Sequence, residues 1–337
     1  MILIDGLFIN KGGGAVLLQY LMAEIAALPE RDEFFYLLDP RFQRPEIDGL
    51  QFEVCNHKLE DRWRFYRKNR KRFSLVFCFA NTPPPVPMRV PVYTYFHNQK
   101  LLEAPAKKMK PGYFRIYLKY LVTRLLNSHT DFYIVQTPHM VQELTALGLK
   151  DRDHCLQLPF YDDRKYASGQ SDFDTRKREF VFISNPSPQK NYPMLLLAWE
   201  RLLEQGRKPV LHVTVDDTAP AILERIQALN ERGAQIVNHV YVDPKELYYN
   251  CQFLIFPSVV ESFGLPLIEA ADSGMKVLAS DLPYVYDVVQ PSLTFDPADA
   301  QSMAQAVIRA LEEPLPPTTI LATNQVRELI NLLLTRG

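Results

Sequence analysis

Residues 253–281 read FLIFPSVVESFGLPLIEAADSGMKVLASD, and this stretch decides the fold. An apolar run at 253–256 leads into a loop carrying Glu261, a second apolar run follows at 276–279, and Glu269 lies between them. The two glutamates, with seven residues between them, flank a turn, Ser262-Phe263-Gly264, that opens a helix. The order is strand, loop with a carboxylate, helix start, strand. Open α/β sheets take their ligands at the carboxyl ends of the strands, so this loop is expected at a ligand site.

The helix start carries its own chemistry. Pro266 suits the first helical position, where a missing N–H costs nothing. Backbone N–H groups around Phe263, Gly264 and Leu265 are unspent at a helix start and favour an anion. Gly264 has no side chain to keep a ligand off that backbone. Glu269, about one turn into the helix, can accept two hydrogen bonds from a ribose diol, and Glu261 can accept from sugar hydroxyls. A phosphate-holding turn between two diol-binding carboxylates describes a nucleotide-sugar site. The plainer alternative is a surface acid followed by an exposed helical glutamate.

The segment ESFGLPLIEA (261–270) resembles the E-x7-E signature of retaining glycosyltransferases of the GT-B fold, within the large family 4 group. Its flanks, VDPKELYYNCQFLIFPS (242–258) and GMKVLASDLPYVYDVV (274–289), are similar to that group as well. The resemblance covers most of 178–312 and is looser in the first half. It implies an α/β GT-B fold, two Rossmann-like domains with parallel sheets facing across a cleft. The implied activity is transfer of a sugar from a nucleotide sugar to a glycan or lipid-linked acceptor, with retention at the anomeric carbon. Small size and the lack of extra domains suit bacterial cell-surface polysaccharide or lipopolysaccharide synthesis.

The same resemblance distributes roles. Glu269 would hold the ribose, and the backbone around Val240 and Tyr241 would meet the base. Lys190, following Asn185-Pro186-Ser187-Pro188-Gln189, would hold the diphosphate together with the amides at Ser262, Gly264 and Leu265. Glu261, Phe263 and His97 would line the donor sugar; His97 ends the apolar run 92–96 and matches a histidine that many family 4 enzymes place there. The family pattern G-R-x4–5-K-N is kept at Lys190-Asn191, but Ser184-Asn185 stands where its arginine falls. One leaving-group cation is therefore missing; Asn185 can hydrogen-bond a phosphate but cannot neutralise it. Near the amino terminus, Gly12-Gly13-Gly14 precedes a helix. It is neither a spaced dinucleotide fingerprint nor a Walker loop. By resemblance, Gly13 and Gly14 line the donor phosphates; by themselves they fit a tight turn equally well.

Composition sets the frame. A chain of 337 residues, 47% hydrophobic and 23% charged, is globular and long enough for two domains. No apolar run approaches the ~20 residues of a membrane span, and MILIDGLFIN lacks the basic start of a signal peptide. Four scattered cysteines, Cys55, Cys78, Cys155 and Cys251, read as reduced thiols of a cytoplasmic protein. No metal or cofactor is expected, so the transfer is expected to be metal-independent.

Apolar runs alternate with helical periodicity along the whole chain, the sign of parallel α/β architecture. Strands are expected at 2–5, 34–38, 51–54, 74–79, 92–96 and 131–135, then at 180–184, 210–215, 235–237, 253–256 and 277–279. Helices are expected at 193–204, 219–232, 244–251, 265–273 and 300–312. A polar linker is read at 161–178. This gives an acceptor-side domain at 1–165, a nucleotide-sugar domain at 166–315, and a terminal helix (319–335) that returns to the first domain after the prolines at 314, 316 and 317.

Charge is uneven: 24 Lys and Arg against 18 Asp and Glu in 1–165, and 14 against 21 in the remainder. Two basic, aromatic stretches, 60–73 and 107–126, hold seven and six of the cations. No nucleic-acid motif accompanies them, so no nucleic-acid partner is expected. An anionic membrane surface on the inner face of the cytoplasmic membrane is the expected contact, the alternative being ordinary helices with one solvated face. Two other readings of the whole chain stand beside the transferase: a catalytically inactive binding or assembly subunit, favoured by the missing arginine, and a nucleotide-sugar epimerase of the same fold.

Overall fold

The computed structural model describes residues 1–109, 113–166 and 172–336. Residues 110–112 of the second basic stretch and 167–171 of the expected linker lie outside them. The chain forms two compact units, Met1–Asp162 with Thr323–Gly337, and Asp163–Ala322.

The first unit is built on seven parallel strands: β1 (Ile2–Gly6), β2 (Phe34–Leu38), β3 (Gln51–Val54), β4 (Leu75–Cys78), β5 (Val92–Tyr95), β6 (Phe132–Val135) and β7 (Cys155–Gln157). Their order is β3-β2-β1-β4-β5-β6-β7. Strands β1, β2, β4 and β5 are buried at every position, as central strands covered on both faces must be, whereas edge strand β3 is largely exposed. The order reverses between β1 and β4, which makes the carboxyl ends of those strands the switch point.

The second unit repeats the plan with six parallel strands: β8 (Lys177–Phe182), β9 (Val210–Val213), β10 (Gln235–Asn238), β11 (Cys251–Phe256), β12 (Lys276–Ser280) and, after the short β13 (Val289–Gln290), β14 (Leu293–Phe295). Their order is β10-β9-β8-β11-β12-β14, with the reversal between β8 and β11. The expected α/β fold of parallel sheets is therefore present in both units. Strands β7 and β14 were not among the expected ones; each is three residues long, too short for a period-of-two signal.

Three local expectations are corrected. The terminal helix does not begin at 319. Thr319–Ile320 forms β15, antiparallel to β13, and Leu321 N–H donates to Val288 O at 2.9 Å. The helix is Val326–Arg336, and its start is set by Asn324, whose Oδ1 accepts from Val326 N–H at 3.2 Å. This helix belongs to the first unit and packs against β4 and the helix Gly13–Ala26. The units divide at Asp162/Asp163 and Ala322/Thr323, against 165/166 and 315/316. The supposed linker is largely structure of the second unit. Arg176 is buried, and its guanidinium donates to Tyr248 O at 3.2 Å and Ser273 O at 2.7 Å. These carbonyls end the helices Pro244–Asn250 and Leu265–Asp272, where a cation is favoured, so a charged sequence is compatible with a buried place.

Among the described residues no helix is long and apolar enough to cross a membrane.

Candidate functional site

In the second unit, β8 and β11 are neighbours, so the loops after them emerge side by side. The first loop turns through Ser184–Lys190, held by Ser184 N–H donating to Thr214 Oγ1 at 3.1 Å and Tyr192 OH donating to Ser184 O at 3.0 Å. The second is tied to it by Val259 N–H donating to Gln189 O at 2.9 Å. Lys190 Nζ lies 2.5 Å from Glu261 Oε1, and the side chains are 13% and 15% exposed. The ammonium also sits 5.5 Å over the Phe256 ring. This pair, from positions 71 apart, is the charged centre of the switch point.

Beside it the chain turns at Gly264 (φ 84, ψ 57), the residue that precedes the helix Leu265–Asp272. A Cβ there would stand 3.1 Å from Leu267 Cδ1 in a conformation side-chain-bearing residues avoid. Pro266 occupies the second helical position, one later than expected, because Gly264 takes the cap and Leu265 the first turn. Ser262 and Leu265 keep part of their surface. Phe263 does not line an open site with its ring: the residue is buried with the unit's core.

Glu269 lies on the same helix. Tyr248 OH donates to its Oε2 at 3.4 Å, and burial raises its pKa above the usual carboxylate value despite the opposing pull of Lys165. At the missing-arginine position, Asn185 is exposed and its Oδ1 accepts from Ser187 Oγ at 2.7 Å. Val240 and Tyr241 follow β10 and are highly exposed. Val240 holds φ 55, unusual for a β-branched residue, and its N–H donates to Asn238 Oδ1 at 3.3 Å.

The same unit holds Glu179, His212 and Cys251 close enough together to consider as metal ligands. His212 is already engaged on both ring nitrogens, with Glu179 at 2.7 Å and His239 at 2.9 Å, a hydrogen-bonded chain complete without an ion. The Asp-x-Asp spacings at Asp151/Asp153 and Asp172/Asp174 fall in exposed short turns, and Asp172 accepts from Asp174 N–H.

In the first unit the helix Gly13–Ala26 starts from Gly12, so Gly13 and Gly14 form its opening turn. A Cβ on Gly14 would stand 3.2 Å from His97 Nε2, which gives this glycine a packing reason. His97 follows β5 and packs against the Phe79 and Tyr95 rings, with centroids 5.9 and 5.0 Å away. Asn81, a residue that sequence reasoning missed, accepts from His97 N–H at 2.7 Å and approaches His97 Nε2 at 3.3 Å. The only sequence signal for it was its place at the end of an apolar run before Thr82-Pro83-Pro84-Pro85.

The basic stretch 60–73 is not a uniform surface. In the helix Leu59–Asn69, Arg62, Phe65 and Tyr66 face inward. Arg62 donates to Asp5 Oδ2 at 2.9 Å and to the carbonyls of Pro83 and Thr82, each at 2.9 Å, while Tyr66 OH donates to the same carboxylate at 2.7 Å. A carboxylate inside β1 thus needs this arginine. The other six cations of the stretch remain exposed. The helix Tyr113–Leu125, in contrast, leaves Phe114 and Leu125 64% and 78% exposed, with Leu118 and Leu121 on the same spacing. Leu125, Val122 and Leu126 face Leu59 and Trp63 across an apolar groove of about 400 Å³.

Residues 163–326 match the family described as "Glycosyl transferases group 1". Serotype-specific mannosyltransferase WbdA of Escherichia coli is 29% identical over 140 residues, 40% of this chain and 17% of that protein. O-antigen chain mannosyltransferase B of Escherichia coli is 26% identical over 139 residues, 40% of this chain and 36% of that protein. The chain therefore spans well under half the length of these curated relatives. Among solved structures, Anabaena Alr3699/HepE in complex with UDP and glucose is similar at a TM-score of 0.67 and 15% identity, covering 93% of this chain and 90% of that one. That likeness is one of fold, the two-unit α/β architecture called GT-B.

Proposed function

We propose, from the match of residues 163–326 to the glycosyl transferases group 1 family, that the chain moves a hexosyl group from a nucleotide sugar to a glycan or lipid-linked acceptor, with retention, in cell-surface polysaccharide synthesis. The observation that carries this reading is the Lys190–Glu261 pair at the switch point of the second unit, beside the left-handed turn at Gly264. Mannosyl is the first sugar to test, since the relatives that overlap this chain are mannosyltransferases.

In the proposed reaction the bond from the sugar's anomeric carbon to the diphosphate oxygen breaks, and an acceptor oxygen bonds to that carbon on the same face. The acceptor hydroxyl proton goes to the departing phosphate oxygen. The protein's work is then positioning and neutralising the leaving group. Lys190, the Asn185 amide and the N–H groups at Ser262–Leu265 meet the diphosphate. Glu269 takes the ribose, Val240–Tyr241 the base, and Glu261 the sugar hydroxyls. Within the first unit, which takes the acceptor, His97 is the candidate hydrogen-bonding group for a hydroxyl and the Gly13–Gly14 turn the candidate anion contact. Metal independence belongs to the proposal, and activity unchanged by a chelator would support it.

The protein is further proposed to work in the cytoplasm, docked on an anionic membrane face. Support comes from the exposed apolar stripe of Tyr113–Leu125, interleaved with exposed Arg115, Lys119 and Arg124, beside Trp63 and the cations of 64–72.

The test is thermal stabilisation by UDP, GDP, ADP, dTDP and CDP, with Glu269→Ala as control, followed by incubation with the matching sugar nucleotides. A ligand at one hundred times its Kd stabilises by about 2.7 kcal/mol. A shift with one nucleotide that Glu269→Ala abolishes, with slow release of free sugar, supports the transferase. A shift without turnover supports a binding subunit, and an interconverted nucleotide sugar an epimerase.

A further inference from the structure

We propose that Asn81 sets the tautomer of His97, holding it as a neutral ring with its proton on Nδ1, so that His97 serves as a hydrogen-bonding group and not as an acid–base catalyst. The role at a sugar site rests on the transferase reading; the tautomer does not.

The assignment follows from hydrogen-bond accounting. Asn81 sits in the left-handed region (φ 65), which asparagine tolerates better than most residues, and its own N–H donates to Tyr95 O at 3.2 Å. Its side-chain amide meets His97 at two points. The first partner is the His97 backbone N–H, 2.7 Å away, which can only donate. That end of the amide is therefore the oxygen. The other end is then the NH2 group, which can only donate, and it lies 3.3 Å from His97 Nε2. Nε2 must present its lone pair, and the single proton of the neutral ring is on Nδ1.

The surroundings agree. An imidazolium would carry a proton on Nε2 and set two donors against each other. The groups packed on the ring are Phe79, Tyr95 and Gly14. Of these only Tyr95 titrates, and burial lifts its pKa far above the usual tyrosine range, so it is neutral too. Burial alone lowers the pKa of His97 to about 4. Nδ1 is buried without a partner among the described residues. An unmatched N–H is a cost that a freely rotating ring would shed; the two-point grip of Asn81 prevents the ring from doing so.

Asn81→Asp makes the test. It is nearly isosteric, keeps the acceptor for His97 N–H, and places a carboxylate oxygen against Nε2. Nitrogen-15 spectra of the full chain labelled at histidine, assigned with His97→Gln, would be followed from about pH 5 to about pH 9, the range in which histidine ordinarily titrates. The parent should show His97 as the Nδ1–H tautomer without titration. Asn81→Asp should move the proton to Nε2 and bring a titration into the range. The pH profile of kcat/KM, measured with the active nucleotide sugar, should gain a histidine limb in Asn81→Asp that the parent lacks. An Nε2–H tautomer in the parent, a His97 titration near neutrality in the parent, or an unchanged tautomer in a folded Asn81→Asp each overturns the proposal. Should that variant not fold, the parent spectrum alone decides. Absence of any transfer activity counts against the transferase reading and leaves the tautomer result standing.

Discussion

Lys190 Nζ and Glu261 Oε1 stand 2.5 Å apart in the loops that follow two neighbouring strands, so each charge is the other's counterion. A diphosphate can recruit Lys190 only by sharing it with Glu261, whose second oxygen is left for a sugar hydroxyl. Lys190→Ala and Glu261→Ala should each lower turnover at least tenfold, roughly 1.4 kcal/mol or more in the barrier, with the fold intact by circular dichroism. Near-parental rates in both would remove the pair from the site.

Glu269 makes a second prediction, through its raised pKa. A carboxyl group whose pKa is higher folded than unfolded favours the fold while protonated. Its contribution is present below the ordinary glutamate value and is lost as pH rises through the raised one. Glu269→Gln should therefore melt higher than the parent at neutral pH, the gap closing in acid, while losing nucleotide-induced stabilisation. Thermal midpoints across pH, with and without nucleotide, measure both halves.

Gly264→Ala should destabilise the protein by roughly 1–2 kcal/mol, the cost of the left-handed conformation for a residue with a Cβ. The added carbon also presses on Leu267 at the helix start. Denaturant unfolding measures this loss, and a weaker thermal shift with nucleotide is expected beside it if the turn meets the ligand.

Arg62 and Asp5 are each 1% exposed, and Arg62 also holds the carbonyls of Thr82 and Pro83. Removing one partner of such a pair strands the other, so Arg62→Met should cost about 3–5 kcal/mol. Adding Asp5→Asn should recover part of that loss. Urea midpoints of the single and double variants test this, and a neutral Arg62→Met would contradict the pairing.

Phe114→Glu with Leu125→Glu should leave stability within about 0.5 kcal/mol, because both side chains are exposed. The same changes should abolish pelleting with anionic liposomes at low salt. Parental protein that fails to pellet at low salt would defeat the membrane proposal outright.

Much of the fold was legible in the sequence because parallel α/β units are written locally. The buried runs 34–38, 92–96 and 253–256 announce central strands, and Gly264-Leu265-Pro266 announces a helix start. The misreadings share a cause. Arg176 and Arg62 carry charges that periodicity assigns to solvent, yet carbonyls or a carboxylate distant in sequence make burial tolerable. Thr319–Ile320 has helix-compatible neighbours, but pairing with β13 takes its backbone.

The sequence alone determined the residue types and their local frames. It named a lysine after one strand and a glutamate after another, a glycine at a helix start, and a histidine at a strand end. Strand order is a non-local property, fixed only when whole sheets pack. That order made β8 and β11 neighbours and so joined Lys190 to Glu261 across 71 positions. It likewise set β4 beside β5 and so brought Asn81 onto His97. No spacing rule within either segment could have stated those contacts, because the hydrogen bonds that create them run between strands rather than along them.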